Sequence, residues 1–267
     1  MLYFGRSWRV HGGDTIGEVF RRAWGRLIHK QGLILYPLAL AVINTMAFLA
    51  VFAAGGQSLR WSDFFAANFT RWQYVQDHFL HGLTLTPALG VAVFVGLAVC
   101  VFAAMLRAPF FRAVAGPGYP VAPRNWEEIG RLSLFYLFNY LVLWLLPLAV
   151  PAGNPFELFV AMAAQVVGIL VIFADYVIVF EGLGFLPALR RSVHLVGRRW
   201  VAVVLLYVAI QLVFLAVARL YGLYFGGTEK IFVLLPVSQI LVESLITLFA
   251  DLVLIFLYEQ IWREVPH

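Results

Sequence analysis

Apolar positions along this chain follow two rhythms. In six stretches they run almost unbroken for about twenty residues or more: 33–54, 83–106, 132–152, 156–180, 201–225 and 231–261. The hydrocarbon core of a bilayer takes about 20 apolar residues of helix to cross, so each stretch is predicted to be a transmembrane helix. In two others, 14–31 and 184–200, apolar residues recur every third or fourth position with basic residues between them. In the first, Ile16, Val19, Phe20, Ala23, Trp24, Leu27 and Ile28 make one face, and Arg22, Arg26, His29 and Lys30 lie off it. In the second, Leu186, Leu189, Val193, Val196 and Trp200 form the stripe, with Arg190, Arg191, His194 and Arg198 on another side. This period predicts amphipathic helices that lie in the membrane interface.

Local signals set the boundaries. "TIGE" at 15–18 is a capping box, Thr15 capping and Glu18 reaching back. Pro187 suits the first turn of the second amphipathic helix, where its missing N–H has no partner to lose. "VPAGNP" at 150–155 makes a reversal between the third and fourth spans, and "GGTEK" at 226–230 separates the last two. "VFRRA" at 19–23 matches "ALRRS" at 188–192, a weak repeat 169 residues apart. "RAPFFRAVAGPGYPVAPRNWEEIGR" (107–131) reads as a third interfacial element, broken by Pro117, Pro120 and Pro123, with a new helix from Asn125. The predicted fold is all-α: a single polytopic membrane helix bundle, 1–267, of six transmembrane helices in three hairpins, with amphipathic cytoplasmic interfacial helices.

Composition agrees. The chain is 63% hydrophobic and 12% charged, against about 25% charged in soluble domains, and its mean hydropathy is +0.88. Under the predicted topology fifteen Lys and Arg fall on the N-terminal side of the membrane and three, Arg60, Arg71 and Lys230, on the other. The positive-inside bias therefore puts both termini in the cytoplasm. It also brings Arg21, Arg22, Arg26, Arg190, Arg191, Arg198 and Arg199 to the anionic inner leaflet, where each contributes about 1 kcal/mol to lipid binding. The competing explanation is purely topological, the arginines only holding their loops inside. The net charge of +5 arises from this bias and does not point to nucleic acid. No cleavable signal peptide is expected. The single Cys100 excludes an intrachain disulfide and any multi-cysteine metal site.

Ionisable residues inside the spans cost at least ~2.5 kcal/mol each and need partners or a cavity. They fall in the second half: Asp175, Arg219, Glu243, Asp251 and, near the inner boundary, Glu259. Gln239, Glu243, Thr247 and Asp251 recur every four residues, a polar stripe expected to face the bundle interior. At about 1.5 Å per residue, Arg219 is within reach of Gln239 or Glu243, while Asp175 and Asp251 lie together toward the cytoplasmic end. The stripe reads either as a path for an ion, proton or polar solute, or as a buried pair fixing helix register. His78 and His81 in "DHFLH" lack a third ligand, so no metal is expected, and no motif implies a cofactor or an enzyme.

One stretch carries a family resemblance. "DYVIVFEGLGFLPALRRSVHLVGRRW" resembles the signature of the glycerophosphoryl diester phosphodiesterase membrane-domain group and its uncharacterised bacterial six-span relatives. The matching residues are Glu181 and Gly182, then Ala188, Leu189 and Ser192, and Trp200 opening the next span. The resemblance implies a bacterial inner-membrane protein, and since the soluble phosphodiesterase barrel is missing it implies no such activity. Two functions follow. One is a non-enzymatic scaffold, assembly or accessory component engaging anionic lipid, with protein partners or a second copy. The alternative is a transporter or exporter of a small solute or ion. An intramembrane lipid enzyme ranks third, for want of a nucleophile beside a buried base.

Overall fold

The computed structural model describes residues 16–55, 86–115, 126–148, 150, 156–225 and 234–264. Thr15, the histidines of 77–81, the proline-rich segment 116–125 and the "GGTEK" turn lie outside them. Every described element is helical. Helix α1 is Ile16–His29; a 3-10 turn, Gln31–Ile34, leads into α2, Leu35–Ala54; α3 is Pro87–Ala115. Helix α4, Trp126–Tyr140, continues through a π-helical stretch, Leu141–Leu145, to Leu146–Leu148. Helix α5, Phe156–Leu170, is interrupted and resumes as Ala174–Tyr176 and a π-helical stretch, Val177–Glu181. Then follow α6, Phe185–Arg198, α7, Trp200–Phe225, and α8, Leu234–Glu264.

Among the described residues five helical stretches are long and apolar enough to cross a membrane: Gln31–Ala54, Pro87–Ala115, Leu158–Glu181, Trp200–Tyr221 and Val237–Glu264. The remaining predicted crossing, 132–152, is helical to Leu148 but does not join these five. Large apolar side chains face outward on them, Phe94, Leu158, Phe159, Leu205 and Leu212 among others. Such surfaces are stable where hydrocarbon is the solvent.

Three helices depart from the sequence reading. Residues 107–115 are the last turns of α3 and not part of a separate interfacial element, even though Pro109 sits inside the helix. Packing overrides the proline here, because Phe110 and Phe111 are buried and Phe111 meets Tyr176 edge-on at 4.9 Å. The single apolar faces expected on α1 and α6 are each divided in two. On α1, Val19 and Ala23 are buried while Ile16, Phe20, Trp24 and Ile28 are exposed. On α6, Ala188, Leu195 and Val196 are buried while Leu186 and Val193 are exposed, as is Trp200 at the start of α7.

The main core lies at the end where α1 and α6 dock, joining Phe110, Phe111, Phe173, Tyr176 and Tyr258 to the buried faces of both amphipathic helices. A smaller cluster, Phe48, Val51 and Phe52 against Ala88, Leu89 and Ala92, closes α2 on α3 farther from it. Helix α4 approaches α3 closely because Gly96 has no side chain. A Cβ there would stand 2.3 Å from the Tyr140 ring, whose hydroxyl donates to the Ala92 carbonyl at 3.0 Å.

Candidate functional site

A polar cluster forms where α3, α4, α5 and α8 meet, and its centre is a residue just past the predicted end of the second span. Arg107 on α3 donates from Nη1 to Asp251 Oδ2 of α8 at 2.5 Å and from Nη2 to Asp175 Oδ2 of α5 at 3.4 Å. Its Nε donates to the Tyr136 hydroxyl of α4 at 3.3 Å, and that hydroxyl donates to Asp175 Oδ2 at the same distance. The guanidinium also lies over the Phe111 ring, 5.0 Å from its centre. Asp175 is placed by the interruption in α5: it lies in the first turn of the resumed helix, and its Oδ1 accepts from the Tyr176 N–H at 2.9 Å. The expected meeting of Asp175 and Asp251 therefore occurs, with a guanidinium between them.

The polar stripe of α8 runs from this cluster along one side of a cavity of about 150 Å³. Glu243, Thr247 and Asp251 face it, with Asn44 and Thr45 of α2 and Arg107 opposite. Gln239, two per cent exposed, stands beyond it and donates to Glu243 Oε1 at 3.1 Å. Arg219 is exposed on α7, and among the described residues no ion pair joins it to Glu243.

No family model matches the chain, and no curated protein or solved structure is detectably similar to it.

At the docking end the arginines are stitched to carboxylates of other elements. Arg22 of α1 reaches Glu259 of α8 at 3.1 Å, Arg263 also approaches Glu259, and Arg191 of α6 meets Glu181 at 3.2 Å. Glu181 accepts from the Tyr258 hydroxyl at 2.8 Å, and Arg199 pairs with Glu264. Lys30 donates to the Ala113 carbonyl at 2.7 Å, closing the C-terminus of α3. Arg21, whose side chain is 78% exposed, pairs with Glu18 of its own helix, while Arg190 and Arg198 are exposed and Arg26 is half-buried. The repeat thus carries roles as well as letters. Val19 and Ala23 are buried like Ala188 and Ser192, and Arg22 and Arg191 each pair with a glutamate of another helix, Glu259 and Glu181.

Several motif residues now have physical reasons. Gly182 adopts a left-handed φ of 68°, which favours glycine, as it ends α5. Ser192 repairs the interruption in α5: its hydroxyl accepts from the Phe173 N–H at 3.1 Å and donates to the Leu170 carbonyl at 2.9 Å. Arg107 was missed because the second span was ended one residue before it. The rule that ionisable groups at a span require partners contained the signal, since apolar residues resume at once after Arg107. At the start of α4, Arg112 pairs closely with Glu128, whose Oε1 is buried without a hydrogen-bond partner among the described residues. Burial pushes this carboxyl above the usual glutamate range, and Arg112 pulls it partly back. No group of three or more metal-ligating side chains occurs among the described residues.

Proposed function

We propose that this is a multi-pass protein of the bacterial cytoplasmic membrane that binds and passes a small polar solute or ion along α8. The proposal includes six crossings, both termini on the arginine-bearing cytoplasmic face, and kinship with the six-span relatives of the phosphodiesterase membrane domain. One observation supports it above others: Glu243, Thr247 and Asp251, successive turns of one apolar helix, open with Asn44, Thr45 and Arg107 onto a shared cavity. A stripe that only fixed register would be sealed by packing around the Arg107–Asp251 pair. Here oxygen-bearing side chains line an opening with room for several water molecules.

Cysteine accessibility tests this reading in a chain carrying Cys100→Ala. Glu243→Cys and Thr247→Cys are expected to react in native membranes with a charged, membrane-impermeant thiol reagent. Gln239→Cys, buried beyond the cavity, is expected to stay silent. Silence at both cavity positions, in variants that still insert and fold, removes the path.

A second reading, the non-enzymatic scaffold or accessory component on anionic lipid, is favoured by a separate observation. Exposed Arg21, Arg190 and Arg198 border the exposed apolar rows of α1 and α6, as interfacial helices require. Its test is lipid composition: Arg190→Gln with Arg198→Gln should lower the share of anionic phospholipid retained on purification. An unchanged share leaves those arginines a topological role only.

A further inference from the structure

We infer that the α8 cavity is a binding site for a small monovalent cation, an alkali ion or a protonated amine. This inference rests on the solute-path reading above and names its substrate class.

The chemistry of the cavity wall carries it. Four hydroxyls line the space, and the three aliphatic ones, all but Tyr36, have already committed their one proton to their own helix. Thr45 donates to the Ala41 carbonyl at 2.8 Å, Ser244 to Ile240 at 2.7 Å, and Thr247 to Glu243 at 2.8 Å. A hydroxyl bonded back to the carbonyl four residues earlier has only lone pairs left for a ligand. Glu243 and Asp251 add carboxylate oxygens to the same wall. The cationic group present, Arg107, has three of its N–H groups turned to Asp251, Asp175 and Tyr136. Asn44 is the lining group with an amide that both gives and accepts.

The cavity is therefore rich in acceptors and poor in donors. Its charge agrees: with the acids ionised, Arg107 stands against Glu243, Asp251 and Asp175, leaving a formal excess of negative charge. In a low-dielectric interior that excess favours a cation strongly over an anion or neutral solute. An anion would have from Arg107 at most the two N–H groups not turned to Asp251, Asp175 and Tyr136. An alkali ion takes oxygen ligands directly, and an ammonium supplies up to three N–H donors to the same oxygens. Hydroxyl, carboxylate and amide oxygens from α2 and α8 provide such ligands without any rearrangement of the Arg107 cluster.

The test uses the full chain purified in detergent, with unfolding followed at constant ionic strength. Sodium, potassium and methylammonium chlorides are each titrated against N-methylglucamine chloride, whose cation exceeds the cavity. The expected result is a saturable rise in Tm with at least one small cation, and the three arms separate metal ions from amines. In Glu243→Gln the half-saturating concentration should increase about tenfold or more, the cost of losing one charged contact. Glu243→Asp should retain part of the response, which guards against a variant that merely folds poorly. No response to any small cation, or an equal response in Glu243→Gln, overturns the inference. So does a Tm that follows the anion when chloride is exchanged, because that places an anion at Arg107. The two readings fail separately: labelled cysteines without a cation response leave a path for another solute. A cation response with silent cysteines leaves a fixed structural ion and no path.

Discussion

Ser192 has the most defined task of any single side chain here. It satisfies a backbone N–H and a carbonyl that the interrupted α5 leaves open, in a buried setting. Ser192→Ala strands both, and a stranded buried group costs about 1–3 kcal/mol. The variant should unfold correspondingly earlier in a denaturant titration of detergent-solubilised protein, whereas an unchanged midpoint means that water fills the gap. Gly96 is the converse case, a position defined by what it lacks. Gly96→Ala drives a methyl into the Tyr140 ring, and overpacking of this kind costs about 1–3 kcal/mol. Combining it with Tyr140→Ala should cost less than the two changes separately, and strict additivity would deny their contact. Neither role could be read from the chain. Serine and glycine in apolar runs are common, and their meaning lies in residues that only folding brings near. The polar stripe, by contrast, was legible, since a four-residue period needs no partner to be seen.

Among the elements, the amphipathic helices combine two functions that periodicity had merged. Each sends a narrow row of small or branched residues into the core and leaves a second apolar row outside. The arginines divide in the same way, so their substitution should not be equivalent. Arg22→Gln removes a partner of the buried Glu259. Its cost should fall between the ~0–1 kcal/mol of a surface pair and the ~3–5 kcal/mol of a fully buried one, because Arg263 remains nearby. Arg21→Gln, losing an exposed contact within its helix, should change the unfolding midpoint little. Equal effects would contradict the division. The start of α4 adds a pH term. Burial raises the Glu128 carboxyl above its ordinary value of 4.5, so the native state holds this proton more tightly than the unfolded chain. Its contribution to stability is complete below the ordinary value and is lost as pH rises through the raised one. Wild-type stability relative to Glu128→Gln should therefore fall as pH is raised across that range. A difference independent of pH would return the carboxylate to water.

For the whole molecule, the arrangement is a bundle fastened at one end and open within. Carboxylate–arginine pairs and aromatic rings tie α1, α5, α6 and α8 together where the basic residues gather. Farther along α8 the packing leaves the acceptor-lined cavity. What the chain determined alone was its solvent and its local periods: long apolar runs, two amphipathic helices and a polar stripe. These follow from backbone hydrogen bonds and side-chain transfer free energies, which depend on neighbours in sequence. Tertiary structure alone decided that Arg107 stands between Asp175 and Asp251, that one expected apolar face splits into two, and that the stripe borders a space. The partners of Arg107 lie 68 and 144 residues away. No local period encodes which faces of distant helices will meet, because packing selects them only when all the helices are assembled.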